Sequence, residues 1–505
     1  MAKRYLLGID NGGSIIKCVV FAADGRQVGS GGVTLPLISP APGMTERGME
    51  EVWDANVQAI RQAIGAAGID LRDIAAVGLT GYGNGICFVD DDGAPTFNAV
   101  VSTDNRGQPF VTECRENGVE KQVYALTKQG LWSAQFASLL NWFARNQPEV
   151  LNKSACFFGI KDFIRLRLTG ARCMEMTEAS SSGLMNIDTL EWDDRLFDLV
   201  GAGGYRRLAP VCVGVCDTGN QVVTAEAEKA TGIPAGTPVS GSCFDVDAGM
   251  LASGILDSHT LCMIAGTWSI NEHLADKWDY GYGETPNSIS MSFLPGHYLV
   301  EESTPTSAGN FDWFLEKLLL PDRPDMARRQ IYAECDAAAL DIGPEGSDVV
   351  FVPYLFASAS HPDAKGAFFN LSSYHDRRHM LRAVYEGVVF SSVWHVRRLM
   401  TDGRGFDRAR ISGGLTNSPM WTQMMADALQ LPLDVLASTE LSAMGAAMCA
   451  GIGCGMFADF ADATARMVRI DKTYRPDPAL AEIYAAKFAR YEKALAALDT
   501  FHSAQ

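Results

Sequence analysis

Two glycine-rich turns, far apart in the chain, carry residue types that hold phosphate groups. The first covers residues 10–14, reads DNGGS, and is followed by Lys17. The second covers residues 265–269 and reads AGTWS. Glycine lets the backbone approach a ligand closely, and phosphate oxygens need convergent N–H and O–H donors. Each turn alone could be an ordinary tight turn, but the pair predicts a site in which the two turns contact a phosphate group from opposite sides.

Residues 241–249 form a segment in which glycines surround two carboxylates, and they read GSCFDVDAG. An alcohol that attacks a phosphoryl group needs a carboxylate to accept its proton, and Asp245 or Asp247 could do this. Acidic residues that favour a helix N-terminus are the alternative interpretation. Asp10, which ends an apolar run, could hold a hydrated Mg²⁺ beside the phosphates.

Two polar loops follow short apolar runs that predict strands. Residues 80–85 read TGYGNG and residues 103–106 read TDNR. Ligands bind at strand ends in α/β folds. Asn84, Asp104 and Arg106 offer the paired donors and acceptors that a polyol needs, although plain surface loops are the alternative.

A later loop and helix could receive a nucleotide base. Residues 412–419 read SGGLTNSP, and a Gly-Gly loop before a helix could pass beneath a base or ribose. The alternative is an ordinary capped loop. A further helix is predicted at residues 441–449, and its Gly445, Ala446 and Ala447 form a face of small residues. Such a face either packs closely on another element or admits an adenine.

The elements that must position these residues alternate between strands and helices, which predicts sheets covered by helices. Two similar hairpins about 250 residues apart predict two similar domains, with a boundary near residue 250. Strands are predicted at residues 5–9, 15–21, 75–79, 260–264 and 268–274, and helices at 49–67, 376–399, 419–429 (with Ser418 as N-cap), 441–449 and 479–498.

Composition excludes some classes of protein. The 505 residues carry a net charge of −18, which argues against a duplex nucleic-acid partner and against docking on anionic lipid. A local phosphate site remains compatible with this charge. The twelve cysteines are scattered, and Cys212 with Cys216 is the closest pair, so reduced core thiols are expected rather than zinc. The first residues lack a signal-peptide pattern and no long apolar run follows, so a cytoplasmic location is expected.

The order of these five motifs resembles the FGGY carbohydrate kinase family, and the likeness runs over nearly the whole chain. Further matching stretches are residues 139–142 with 148–149, 236–239, 362–366 and 381–387. The resemblance implies an α/β fold of two actin/hexokinase-like (ribonuclease H-like) domains, residues 1–250 and 251–505. It also implies that ATP and Mg²⁺ bind in a cleft between the domains.

The resemblance assigns roles position by position. Asp245 matches the catalytic base, and Asp10 with Asp245 matches the metal site. The nucleotide- and phosphate-binding positions are Gly12, Gly13, Ser14, Lys17, Gly266, Thr267, Gly413, Gly414 and Asn417. The sugar-binding positions expected are Gly83, Asn84, Asp104, Trp132 and Asp245.

The substrate loop departs from familiar family members. D-xylulose kinases tend to have Met-His, and glycerol kinases Arg-Glu, where this chain has Gly83 and Asn84. Together with residues 102–106 and 302–310, the loop looks most like the L-xylulose kinase branch, so phosphorylation of a terminal hydroxyl of L-xylulose is expected. D-xylulose, L-ribulose, a tetritol such as erythritol and a keto-hexonate stay open, and an acidic sugar would need a cation, for which Arg106 is the candidate.

Two readings outside this class also stay open. One is an actin- or Hsp70-like ATPase switch, and the other is a non-catalytic sugar sensor. The partner expected is a small-molecule sugar, with no nucleic acid and no membrane. A homodimer is compatible with the sequence.

Overall fold

The computed structural model describes residues 4–503, apart from 267, 278–280, 284–287, 323–325, 357, 359–363 and 401–402. In the first half of the chain the strands are β1 Tyr5–Asn11, β2 Ile15–Ala22, β3 Gln27–Thr34, β4 Glu46–Arg47, β5 Ile74–Gly81, β6 Cys87–Val89, β7 Ala99–Val100, β8 Cys156–Phe158, β9 Cys173–Glu175, β10 Met185–Asn186, β11 Glu191–Trp192 and β12 Val211–Val213. The helices are α1 Met49–Ala67, α2 Gln108–Glu116, α3 Val119–Thr127, α4 Phe136–Asn146, α5 Pro148–Lys153, α6 Ile160–Thr169, α7 Met176–Ser180, α8 Asp194–Leu199, α9 Ala225–Thr231 and α10 Asp245–Ala252.

The main sheet of the first half has the strand order β3-β2-β1-β5. β1 is antiparallel to β2 and parallel to β5. Val77 on β5 also forms a parallel bridge with Val239, just before α10. Parallel strands with both faces covered are apolar throughout, and every residue of β5 is buried. The strand ends therefore bring the first turn, the loop after β5 and the start of α10 to one edge.

In the second half the strands are β13 Thr260–Ala265, β14 Ser269–Ala275, β15 Ser288–Met291, β16 Tyr298–Thr304, β17 Val350–Val352, β18 Ala367–Phe369, β19 Arg408–Ser412, β20 Leu433–Leu436 and β21 Ile470–Tyr474. The helices are α11 Gly309–Phe314, α12 Arg328–Ile342, α13 Arg377–Leu399, α14 Pro419–Leu429, α15 Leu441–Gly453, α16 Phe460–Met467 and α17 Ala481–Ser503.

The sheet of the second half repeats the plan of the first. Its order is β15-β16-β14-β13-β19-β20-β21. β13 is antiparallel to β14 and parallel to β19, as β1 is to β2 and β5. The prediction of two similar α/β units, each opening with its own hairpin, is confirmed.

Helix α15 belongs to the second half of the sequence but packs on the sheet of the first. A Cβ on Gly8 would lie 1.8 Å from the Ala443 carbonyl oxygen, and one on Gly78 would lie 1.9 Å from that of Ala446. A Cβ on Gly445 would lie 2.0 Å from the Ala248 carbonyl oxygen in α10. The small-residue face of α15 therefore serves close packing, one of the two roles that the sequence left open.

In the described part of the chain, no helix combines the length and the apolar character that crossing a membrane requires.

Candidate active site

The first glycine turn is held from behind by a buried arginine. Arg47, which is 2% exposed, donates from Nη2 to the Gly13 carbonyl oxygen at 2.6 Å and from Nη1 to that of Gly12 at 3.3 Å. Gly13 and Ser14 are exposed. Arg47 therefore fixes the carbonyl groups of Gly12 and Gly13, while Ser14 stays accessible to solvent, as a phosphate-binding turn requires.

The second turn meets the Gly-Gly loop. Gly266 follows β13, and Thr267 lies outside the described residues. Gly413 has φ +98°, and a Cβ there would lie 2.6 Å from the Ala265 carbonyl carbon. Only glycine allows this close approach with positive φ. Gly414 and Asn417 are exposed in the turn that follows, so the structure brings these nucleotide-binding candidates together.

Lys17 lies where the two halves of the chain meet. Its Nζ is 2.9 Å from Oε2 of Glu440, the residue just before α15. Both side chains are only partly buried, at 34% and 21% exposed. In this structure the ammonium of Lys17 is thus paired with a carboxylate beside the first turn.

Asp245 is the first residue of α10, and Asp10 is the second-last residue of β1. Burial raises the pKa of Asp245 well above its usual range, and the negative charges of Asp10, Glu178 and Glu301 raise it further. Burial also raises the pKa of Asp10 to about 6, while Lys17 lowers it. Two neighbouring carboxylates repel each other when both are ionised, and a divalent cation between them would reduce that repulsion.

These two carboxylates suit magnesium rather than an all-protein metal cage. Among the described residues no group of three or more His, Cys, Asp or Glu side chains is arranged to hold a metal, and Cys212 and Cys216 are free thiols. Mg²⁺ keeps several waters and usually takes one or two carboxylates together with substrate phosphates. Asp10 and Asp245 fit that pattern.

The predicted substrate loop lies directly against the residue before Asp245. A Cβ on Gly83 would lie 1.5 Å from Cε2 of Phe244. Asn84 has φ +60° and donates its backbone N–H to Glu178 Oε1 at 3.2 Å. Its side chain donates weakly to Ser181 Oγ at 3.4 Å, and its Oδ1, although buried, has no hydrogen-bond partner among the described residues. That free acceptor fits a sugar hydroxyl.

Asp104 and Arg106 satisfy each other. Asp104 is fully buried, and its Oδ1 accepts from Arg106 Nε at 2.9 Å while its Oδ2 accepts from the Thr45 N–H at 2.6 Å. Arg106 Nη2 also donates to Glu46 at 2.7 Å, and its guanidinium lies 4.8 Å from the centre of the Trp142 ring. The pair is buried and satisfied internally, and the Arg106 charge is already balanced.

Trp132 lies on a segment that borders the substrate loop. The Gly85 N–H donates to the Ala134 carbonyl at 2.9 Å, two residues beyond Trp132. The Trp132 side chain is 37% exposed. Its indole therefore has a free surface near the loop that carries Asn84.

Several residues that build this site gave no signal in the sequence. Arg47, Phe244, Thr177 and Glu178 act through contacts with distant segments, so no local spacing reveals them. Asp247, the alternative to Asp245, is fully buried, and its Oδ1 accepts the Phe293 N–H at 2.8 Å. It therefore faces a segment of the second half.

Comparison with known proteins decides the family. Residues 5–252 match the N-terminal domain of the FGGY family of carbohydrate kinases, and residues 261–454 match its C-terminal domain. The chain belongs to the FGGY family of carbohydrate kinases. It is therefore a phosphotransferase. Membership of this family disfavours the two alternative hypotheses, an ATPase switch and a non-catalytic sugar sensor.

Individual relatives cover the whole chain. L-xylulose/3-keto-L-gulonate kinase from Escherichia coli K12 is 31% identical over 99% of this chain and 98% of its own length. A probable L-xylulose kinase from Pasteurella multocida is 32% identical over 98% of this chain and 99% of its own length. The crystal structure of xylulose kinase from Rhodospirillum rubrum superposes with a TM-score of 0.89 at 28% identity, over 99% of this chain and 100% of that one. The predicted two-domain α/β kinase fold is confirmed.

Proposed function

We propose that this kinase transfers the γ-phosphoryl group of ATP to a terminal hydroxyl of a neutral ketopentose, with L-xylulose as the favoured substrate. The observation that carries the proposal is the contact of Gly83, in the proposed substrate loop, with the ring of Phe244, the residue before Asp245. The full-length likeness to L-xylulose kinases supports the choice of sugar.

In the proposed mechanism Asp245 accepts the proton of the attacking hydroxyl. Asp245 must be ionised to do so, and the burial that raises its pKa makes the ionised carboxylate a stronger base. Asn84 orients the sugar through its free Oδ1, and the exposed face of Trp132 covers the carbon chain. Asp10 and Asp245 would hold Mg²⁺, which would supply positive charge to neutralise the phosphate oxygens.

The nucleotide lies across the two turns in this proposal. Ser14 with Gly12 and Gly13 contacts the phosphates from one side, and Gly266 with Thr267 from the other. Gly413, Gly414 and Asn417 border the adenosine. Lys17 exchanges its partner Glu440 for a phosphate oxygen when ATP binds. Closure of the cleft then excludes water and limits wasteful ATP hydrolysis.

The balanced charge of Arg106 favours a neutral sugar over an acid. Its guanidinium already pairs with Asp104 and Glu46, so a sugar carboxylate would have to break a buried ion pair. Breaking such a pair by removing a partner typically costs ~3–5 kcal/mol. A keto-hexonate such as 3-keto-L-gulonate, which the E. coli relative's name includes, is therefore the second candidate.

The proposal also divides the work between the two halves of the chain. Residues 1–250 supply the sugar site and the first phosphate turn, and residues 251–505 supply the second turn and the adenosine site. A cytoplasmic enzyme fits the ATP requirement.

The test is ADP release coupled to an indicator, with Mg·ATP and a panel of L-xylulose, D-xylulose, L-ribulose, erythritol, glycerol and 3-keto-L-gulonate. The expected result is selective stimulation by L-xylulose. Asp245→Asn should lower kcat at least ~10³-fold, because it removes the base, with a modest effect on ATP binding because Asp10 remains as a ligand for the metal. Asp92→Asn, on an exposed loop, is the control. Preference for another sugar overturns the substrate assignment, and near-normal turnover of Asp245→Asn overturns the role of Asp245.

A further inference from the structure

Helix α7 is buried and contacts two segments of the proposed sugar site. Thr177, Glu178, Ala179 and Ser180 are all buried. The helix is too short to be stable by itself, so its position depends on its neighbours. Its side chains reach the segment before Asp245 on one side and the substrate loop on the other.

The first contact runs from Thr177 to the start of α10. Thr177 Oγ1 accepts the backbone N–H of Phe244 at 3.0 Å and donates to Glu175 Oε2 at 2.7 Å. Phe244 is the N-cap residue of α10, and its side chain makes no capping bond. The Thr177 hydroxyl therefore fixes the backbone one residue before Asp245, and Glu175 fixes the direction of that hydroxyl.

The second contact runs from Glu178 to the substrate loop. Glu178 Oε1 accepts the Asn84 N–H at 3.2 Å, and its Oε2 pairs with Lys161. Asn84 is in the left-handed region, which asparagine tolerates better than most residues other than glycine. Glu178 holds its backbone N–H, while the Asn84 side chain reaches Ser181.

A buried charge cluster anchors both contacts. Lys161 lies 3.7 Å from Glu175 and 3.2 Å from Asp162, and Arg165 also pairs with Asp162. All these side chains are at most 1% exposed. Burying such a cluster brings little net stability compared with apolar packing, so its use here points to fixed geometry instead.

We propose that α7 is the common support of the proposed sugar site, with Thr177 as the positioning residue for Asp245 and Glu178 as the positioning residue for Asn84. The proposal rests on the proposed function, since it explains how the base and the sugar loop keep their separation. A misplacement of about 1 Å at a reacting group can cost ~10²-fold in rate. Neither residue is among the proposed catalytic or sugar-binding positions.

The experiment removes only the hydroxyl. Thr177→Val keeps the shape of the side chain but loses the acceptor for Phe244, whereas Thr177→Ser keeps it. Thr231→Val is the matched control, because Thr231 is equally buried and its hydroxyl bonds to Ala227 in α9. We expect kcat to fall ~10–100-fold in Thr177→Val, with KM for ATP within about twofold, and to stay within about threefold of wild type in Thr177→Ser and Thr231→Val.

Amide hydrogen exchange gives a reading that needs no activity. The Phe244 amide should exchange faster in Thr177→Val than in the wild type and Thr177→Ser. Unchanged kcat and unchanged Phe244 protection in Thr177→Val overturn the inference, as does an equal loss of kcat in Thr231→Val. If Thr177→Val does not fold, Thr177→Ala carries the same expectations. A wild type without sugar-dependent ADP release overturns the proposed function, while the exchange data still decide the positioning role.

Discussion

Gly83 has no room for a side chain because the Phe244 ring occupies the space. This contact gives a physical reason why the chain lacks the larger pairs that D-xylulose and glycerol kinases tend to have at this loop. The two positions are coupled, so changes to them should not add. The identity of residue 244 therefore sets which residues are allowed at position 83.

Gly83→Ala should lower kcat/KM for the sugar at least ~10-fold, because the new Cβ collides with Phe244 and displaces the segment that carries Asp245. Adding Phe244→Ala should recover part of that loss by removing the collision. The four kcat/KM values of a double-mutant cycle measure the coupling. Gly204→Ala, where a Cβ meets nothing within 4 Å, is the control. Strictly additive losses would contradict the coupling.

The ionised carboxylate of Asp10 should destabilise the folded free enzyme at neutral pH. Its folded pKa of about 6 exceeds the usual value of 3.8, so the folded state binds the proton more tightly than the unfolded state. Stability from this group therefore falls as pH rises from about 4 to about 6. Asp10→Asn should raise the free energy of unfolding by ~1–3 kcal/mol at pH 7.5, with less gain at pH 4.5, while activity is lost. Denaturant unfolding of both proteins at the two pH values is the measurement, and a gain independent of pH would contradict it.

The candidate catalytic residues were visible in the sequence, and the residues that we propose position them were not. Asp10 and Asp245 sit in short glycine-rich segments, where local residue types already suggest phosphate and proton chemistry. The pairing of Asp104 with Arg106 was not visible, because the residue types of a polar loop reveal nothing about internal ion pairs. Thr177 and Phe244 meet only in the folded chain, 67 residues apart.

At the scale of elements, boundaries followed local signals wherever these were strong. The predicted helix at residues 49–67 matches α1, which begins after Gly48 and ends at Gly68 in the left-handed conformation. Ser418 caps α14 through the Trp421 N–H, as predicted. Helix α17 begins at Ala481 rather than at residue 479, because a short 3₁₀ turn, Pro478–Leu480, precedes it.

The contact between β5 and α15 should be intolerant of any side chain at Gly78. A Cβ there would lie 1.9 Å from a backbone oxygen that cannot move without shifting α15. Gly78→Ala should therefore destabilise the protein by ~2–4 kcal/mol, measured by urea unfolding. Gly65→Ala, on an exposed part of α1 where a Cβ meets nothing within 4 Å, should stabilise it by ~0.5–1 kcal/mol. A neutral Gly78→Ala would contradict the role of this contact.

At the scale of the whole molecule, the two sheets are joined through a shared core. Leu6 and Ala76 from the first sheet and Met448 from α15 lie in one cluster with residues of α10. The repeated hairpins allowed two similar units to be predicted from the sequence. The position of α15 on the first sheet could not be predicted, because an all-apolar helix pattern does not specify which sheet it covers.

The shared core should make the two halves unfold together. Calorimetry of Asp245→Asn, which we expect to bind both substrates without turnover, should show one transition with and without Mg·ATP and L-xylulose. At concentrations of about 100 times Kd, each ligand adds ~2.7 kcal/mol. With an unfolding entropy of ~2.1 cal/mol/K per residue, this moves the whole transition up by only a few degrees. Gly65→Ala added to Asp245→Asn is the control, since it should shift the midpoint without changing the ligand effect. Two transitions, of which only one responds to ligand, would show that α10 and α15 do not couple the halves.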